Sequence, residues 1–164
     1  MNIKNISISF VILLIAWFLL NGNFEIVTVI SGIVISALLA IVFCKHCNIF
    51  SSIKFTPKAF LYFIIYLFVF IGELIKSNLD VARRVLTPSL PIKPGIVEVK
   101  TKLKSKIGRL VLANSITLTP GTLTIEMIDD KLFIHWINVE SDDIDEATKQ
   151  IVQKFENYLE VIYG

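Results

Sequence analysis

Apolar residues crowd into three segments before residue 77, and no other feature constrains this chain as strongly. The segments run from about Ile6 to Leu20, Ile26 to Phe43 and Ala59 to Ile75. A helix that crosses a bilayer needs about 20 apolar residues, within a range of about 17–25. The second and third segments reach that length, and the first reaches it once Ile3 and the flanking polar residues are counted. Hydrophobic residues are 54% of the 164, above the roughly 45–50% of a soluble domain, and the surplus sits in these segments. A cleaved signal would end in small residues, whereas Asn21-Gly22-Asn23-Phe24-Glu25 follows the first segment and a second apolar run begins at once. The first segment is therefore expected to be retained.

Asn21-Gly22-Asn23 is a tight-turn signal, so the first two segments are expected to form an antiparallel helical hairpin. Segment two carries Ser31, Gly32, Ser36, Ala37 and Ala40, small residues at helical spacing that let another helix come close. Basic residues set orientation in membrane proteins. The loop after segment one has no Lys or Arg; the next holds Lys45, Lys54 and Lys58; Lys76, Arg83 and Arg84 follow segment three. Three full crossings would put the two basic regions on opposite sides, against the rule. Either one segment fails to cross or one basic loop is outside.

Ionisable residues are almost absent from the segments. Glu25 opens the second and Glu73 lies near the end of the third. A carboxylate within the membrane is an ion-path candidate, but Glu73 has Lys76 within reach as an interfacial partner. Cys44 and Cys47 bracket Lys45-His46 at the end of segment two. Zinc there would need further ligands, and only His46 and the distant His135 exist, so the pair reads as two thiols at the membrane boundary, with no metal and no cofactor. The net charge of +2 and the lack of basic runs interleaved with aromatics exclude nucleic acid as a partner.

The last third has the pattern of a small α+β domain. Pro88, Pro91 and Pro94, followed by Gly95, form a stiff linker. Val97, Val99, Thr101 and Leu103 alternate with polar residues as a strand does. Ile107, Leu110, Val111, Asn114 and Leu118 fit one helical face. Pro120-Gly121 supplies the centre of a type II turn. Leu123, Ile125 and Met127 mark a second strand, Asp129-Asp130 a turn, and Lys131 to Val139 a third strand. Asp142 or Asp143 can cap a final helix, with Glu146 in capping-box position and Ile144, Ala147, Ile151, Phe155, Tyr158 and Ile162 as its stripe. The expectation is two or three transmembrane helices within residues 1–87 (about 6–20, 26–43 and 59–86), a linker at 88–95, and a β-α-β-β-α domain over 96–164.

No catalytic constellation stands out. His135 is a lone histidine on a strand beside Trp136. The hydroxyls of Ser115, Thr117, Thr119, Thr122 and Thr124 lack the glycines and lysine of a phosphate loop or nucleophile elbow, and capping and turn bonding account for them.

The run Leu112-Ala113-Asn114-Ser115-Ile116-Thr117-Leu118-Thr119-Pro120-Gly121-Thr122 is more specific. It resembles the signature of the MrpE or MnhE family, one of the small subunits of the Mrp-type multisubunit Na⁺/H⁺ antiporters. Val81-Ala82-Arg83-Arg84-Val85-Leu86, Ile92-Lys93-Pro94-Gly95-Ile96-Val97, His135-Trp136 and Phe155-Glu156 are similar to the same family in the same order. The resemblance covers roughly residues 60 to 162, and the Gly-Asn-Phe hairpin more weakly; Cys44 and Cys47 lie outside its pattern.

This resemblance implies a small accessory subunit, not an enzyme, in a prokaryotic plasma membrane. Its partners would be the larger antiporter subunits that carry the ion paths, with the polar domain on the cytoplasmic side. Asn114, Ser115, Thr117, Thr119, Pro120, Gly121 and Thr122 would be an assembly motif and Arg83 and Arg84 boundary anchors, beside Glu73, whose spacing to Lys76 places it at the boundary independently. An equivalent subunit of a membrane-bound hydrogenase-type complex is one alternative. A small ion-conducting oligomer using Glu25 or Glu73 is another.

Overall fold

The computed structural model describes residues 3–44, 54, 56–141 and 143–164. The expectations placed on Lys45, His46, Cys47 and Asp142 fall outside the described residues. The chain divides into two compact units, Met1–Ile53 and Lys54–Gly164.

In the first unit, α1 (Ile3–Asn21) and α2 (Ile26–Cys44) pack as the hairpin that the Asn-Gly-Asn turn implies. Gly22 has φ +65°, a left-handed conformation that closes α1, and its N–H donates to Phe18 O at 3.0 Å. Asn21 Nδ2 donates to Trp17 O and the Glu25 N–H to Asn23 Oδ1. Gly32, Ser36 and Ala40, each four residues apart, are buried. Trp17 is what fills the space at Gly32. A Cβ there would lie 2.5 Å from Trp17 Cδ1, and Trp17 Nε1 donates to Thr28 O at 3.0 Å. Helices in lipid have no hydrophobic drive to associate, so close packing and hydrogen bonds of this sort hold the pair. Two helical stretches, Ile26–Phe43 and Pro57–Leu86, are long and apolar enough to cross a membrane; the apolar run Ile6–Asn21 is shorter.

The second unit begins with α3 (Pro57–Leu86), capped by Thr56, whose side chain accepts the Ala59 N–H, with Pro57 in the first turn. There follow β1 (Gly95–Lys100), α4 (Lys106–Leu118), β2 (Thr122–Ile128), β3 (Lys131–Trp136), α5 (Ile144–Ile151) and α6 (Gln153–Tyr163). The sheet is antiparallel in the order β1-β3-β2, so the β-α-β-β-α order is present, with the final helix interrupted at Val152. Asp143 caps α5 by accepting the Glu146 N–H at 3.0 Å. Asp129 takes φ +53° in the β2–β3 turn, a conformation Asp tolerates.

The core lies between the inner face of the sheet and the helices. Val97, Val99, Leu132 and Ile134 meet Ile151, Val152, Phe155 and Leu159, all buried. Tyr66 of α3 belongs to the same core. Its ring lies 6.4 Å from that of Phe155, and Phe70 lies 6.2 Å from Phe155. Across β1 and β3, Lys100 directly opposes Lys131, a destabilising pairing. The Glu98 carboxylate lies 2.9 Å from Lys131 Nζ and offsets it, raising the lysine above its ordinary range by hydrogen bond and charge.

Two local expectations are corrected. The buried face of α4 is Gly108, Leu112, Ser115 and Ile116, while Leu110, Asn114 and Leu118 point outward. Both faces of this helix are apolar enough to be inside. Gly108 decides the matter, because a Cβ there would meet the Cβ of Tyr163 at 3.1 Å. The third strand stops at Trp136, short of Val139. Beyond it the Ile137 N–H turns to Gly121 O, and the linker takes over the pairing through Lys93 N–H to Ile137 O and Val139 N–H to Lys93 O. The second strand is where the alternation puts it, and its Leu123, Ile125 and Met127 are exposed. The β2–β3 register shifts between Thr124 and Glu126, a bulge at Ile125, and the inner face is built by β1 and β3. α4 covers the edge of β2, with Thr124 N–H donating to Thr117 Oγ1 and Thr124 Oγ1 to Ala113 O.

Gly32→Leu is expected to push Trp17 out of the α1–α2 contact. In a Trp136→Phe background the Trp17 emission should change in wavelength and quenching; an unchanged spectrum would mean that the close approach does not exist.

Candidate functional site

The turn Thr119-Pro120-Gly121-Thr122 faces the C-terminal half of α3 across a groove of about 730 Å³. Trp136 to Asn138, Glu140, Gln150, Ile151 and Lys154 complete its walls. The turn is closed by Thr122 N–H donating to Thr119 O at 3.3 Å. Gly121 has φ +91°, open to glycine and strained for other residues. A Cβ there would lie 3.0 Å from Ile137 Cγ2 and 3.5 Å from Val81 Cγ2, so the turn is wedged between the sheet's exit and α3.

The hydroxyls of this region are bonded within the domain. Helix ends leave carbonyls without intrahelical partners, and the threonines supply them. Thr119 Oγ1 donates to Ile116 O at 2.7 Å, and Thr122 Oγ1 reaches Ile116 O at 2.6 Å and Thr119 O at 2.9 Å. Ser115 Oγ donates to Val111 O at 2.6 Å, so in its 2.5 Å contact with Tyr66 Oη the tyrosine is the donor. That bond joins the motif to α3. Asn114 is exposed on α4, away from the buried face.

Charges in the groove are mostly paired. Lys154 Nζ lies 2.9 Å from Glu73 Oε2, whereas Lys76, the partner expected from spacing, lies 3.9 Å from Oε1. Arg84 Nε bonds Asp80 at 2.7 Å and its Nη1 donates to Pro91 O at 2.7 Å, tying the linker to the end of α3. Pairs this exposed contribute roughly 0–1 kcal/mol each; their value here is positional. The Arg83 side chain is exposed. His135 stands exposed on β3, facing Ile96 and Leu123 on its two neighbours.

Sequence reasoning missed Glu156. It is buried in α6, where Oε1 accepts from Thr101 Oγ1 at 2.5 Å and from the Lys102 N–H at 2.7 Å. This joins the exit of β1 to α6. The signal was present in Phe155-Glu156 as a family match, but the role is set by a partner 55 residues away. Tyr163 was missed too: burial, with Gly108 packed against it, pushes its phenol above the ordinary tyrosine range. A raised acid is more stably neutral in the fold. This contribution is therefore present below pH about 10 and is lost as pH rises through the folded value.

The sequence matches the MNHE family, "Na+/H+ ion antiporter subunit", over residues 10–162. The chain belongs to that family. The E1 subunit of a Na⁺/H⁺ antiporter of Staphylococcus haemolyticus is 33% identical over 151 residues, 87% of this chain and 89% of that protein. The corresponding antiporter subunit of Bacillus subtilis is 39% identical over 97 residues, which span 58% of this chain and 60% of that protein. A chain of the membrane-bound sulfane sulfur reductase, an archaeal respiratory membrane complex, superposes with a TM-score of 0.83 at 41% identity, covering 97% of this chain and 99% of that one.

Glu156→Ala is expected to destabilise the second unit by about 1–3 kcal/mol, the cost of leaving buried donors unpaired. Glu156→Gln, which keeps an acceptor, should lose clearly less. Thermal or denaturant unfolding of the full chain in detergent checks both, and equal losses would remove the carboxylate from the account.

Proposed function

We propose that this chain is an accessory, non-catalytic membrane subunit of a multisubunit monovalent cation/proton antiporter in a prokaryotic plasma membrane. In this reading its domain is cytoplasmic and its partners are the other membrane subunits. The observation that carries it is the contrast between a satisfied interior and an uncovered surface. The motif hydroxyls are bonded to their own domain, whereas the outer face of the sheet leaves Ile96, Leu123 and Ile125 at 64%, 49% and 53% exposure. Of these apolar side chains, Ile96 and Leu123 flank His135 on the two outer strands, and exposed apolar surface of this kind is where a partner docks. Family membership supplies the kind of assembly.

The likeness to a respiratory membrane complex favours a second reading, the equivalent subunit of such a complex. An ion-conducting oligomer is less well supported, because Glu73 is paired with Lys154 and its carboxylate lies against the domain.

A tagged chain extracted from native membranes in mild detergent should carry large polytopic antiporter subunits, identified by mass. Respiratory or hydrogenase-type subunits would move it to the second reading, and recovery alone as a homo-oligomer would sink the accessory role. In the first case Glu25→Gln and Glu73→Gln should leave cation/proton exchange in vesicles unchanged. Gly121→Val places a β-branched residue at positive φ, at a cost of roughly 1–2 kcal/mol before any clash. The expected result is less assembled complex; normal assembly with dead transport would give the turn a direct role.

A further inference from the structure

The long helix α3 has the length and composition of a membrane span, but its surroundings in the folded unit contradict a crossing. One face is sheltered over its whole length: Ala59, Tyr62, Tyr66, Phe70, Glu73 and Ser77 recur every three or four residues. At the start, the Lys54 N–H donates to Ile162 O. Tyr62 and Tyr158 rings follow at 6.4 Å, then Tyr66 and Phe70 on Phe155, then Glu73 on Lys154. Near the end, Val81 lies against the Gly121 turn. From Ala59 to Val81 the flanked stretch measures about 33 Å at 1.5 Å per residue, so the domain flanks α3 over the full thickness of a hydrocarbon core, roughly 30 Å. A crossing α3 would take with it a domain carrying exposed Lys102, Lys104 and Glu160, charges that do not lie against acyl chains.

The opposite face is uncovered and apolar. Phe60, Leu61, Phe68, Ile71, Ile75 and Leu79 are exposed there, Phe68 at 71%. At 3.6 residues per turn, positions 58 and 76 superimpose and 83 lies about 20° away. Lys58, Lys76 and Arg83 therefore line one flank between the apolar and sheltered faces, and all three are exposed. An apolar stripe with a cationic border running lengthwise is the pattern of a helix lying in the interface plane.

We propose that α3 does not cross the bilayer but lies in its surface, with the Phe68–Ile75 face among the acyl chains and the Lys58–Lys76–Arg83 flank on anionic phospholipid headgroups. The α1–α2 hairpin then makes the only crossings among the described helices. Lys54, Lys58, Lys76, Arg83 and Arg84 fall on one side, and the loop at Asn23, free of Lys and Arg, on the other. The conflict in the positive-inside accounting disappears. Charge complementarity selects anionic lipid as the occupant of this face.

The test uses the full chain in native membranes. With Cys44→Ser and Cys47→Ser as background, single cysteines from Lys58→Cys, Ser89→Cys and Asn23→Cys are labelled with a membrane-impermeant maleimide. The first two are expected to react in inside-out vesicles only, and Asn23→Cys in right-side-out vesicles only. Labelling of Lys58→Cys and Ser89→Cys from opposite sides would overturn the proposal. In a separate experiment that keeps the native cysteines, a benzophenone amino acid at Phe68 or Ile75 is photo-activated. Phospholipid adducts are expected, with the phosphatidylglycerol share falling about tenfold in a Lys76→Glu/Arg83→Glu variant. Polypeptide adducts at both positions would assign the face to a neighbouring protein and overturn the lipid occupant; an unchanged phosphatidylglycerol share would overturn the headgroup contact.

Discussion

The second unit hangs on an aromatic contact between distant parts of the chain, Tyr66 and Phe70 of α3 against Phe155 of α6. A three-stranded sheet with short helices has little interior of its own, and small domains of this size bury barely enough surface to be stable. α3 adds the missing layer. Once Phe155 is covered, Tyr66 Oη can reach Ser115 and Lys154 can reach Glu73. The same contact turns a segment that hydropathy assigns to lipid into a wall of a polar domain.

The legible parts of the fold were those whose signals are local. The Pro120-Gly121 turn, the Asp129 turn and the Asp143 cap need only neighbours in sequence, and they stand where residue chemistry puts them. The stripe from Ala147 to Ile162 was legible because the polar residues between its members leave one apolar face. α4 was not, since Leu110 and Leu118 compete with Leu112 and Ile116 and only the fit of Gly108 against Tyr163 breaks the tie. The apolar alternation of β2 identified a strand but not which side of it would be covered. For the candidate site, Ser115 and the threonines were found as a run, while Glu156 and Lys154 became visible only when α6 met β1 and α3.

Charge in the groove serves placement more than binding strength. Glu73 and Asp80 sit a helix turn or two apart on α3 and each holds a cation that belongs to the domain's geometry: Lys154 from α6, and Arg84 reaching on to the linker. Because these ions are spent inward, the surface left for other molecules is the apolar outer sheet, the apolar side of α3 and its cationic edge. The charges lining the groove are thus largely consumed within the domain, while the surface around it is largely apolar.

Arg84 has a mechanical consequence. Its two bonds, to Asp80 and to Pro91 O, together with the Lys93 pairing to Ile137 and Val139, fasten the connection between α3 and the sheet at both ends. A linker rich in proline would otherwise act as a hinge. Stitched down, it joins helix and sheet along the linker, so that a tilt of α3 carries the start of β1 and the exit of β3 with it instead of being taken up by a loose loop.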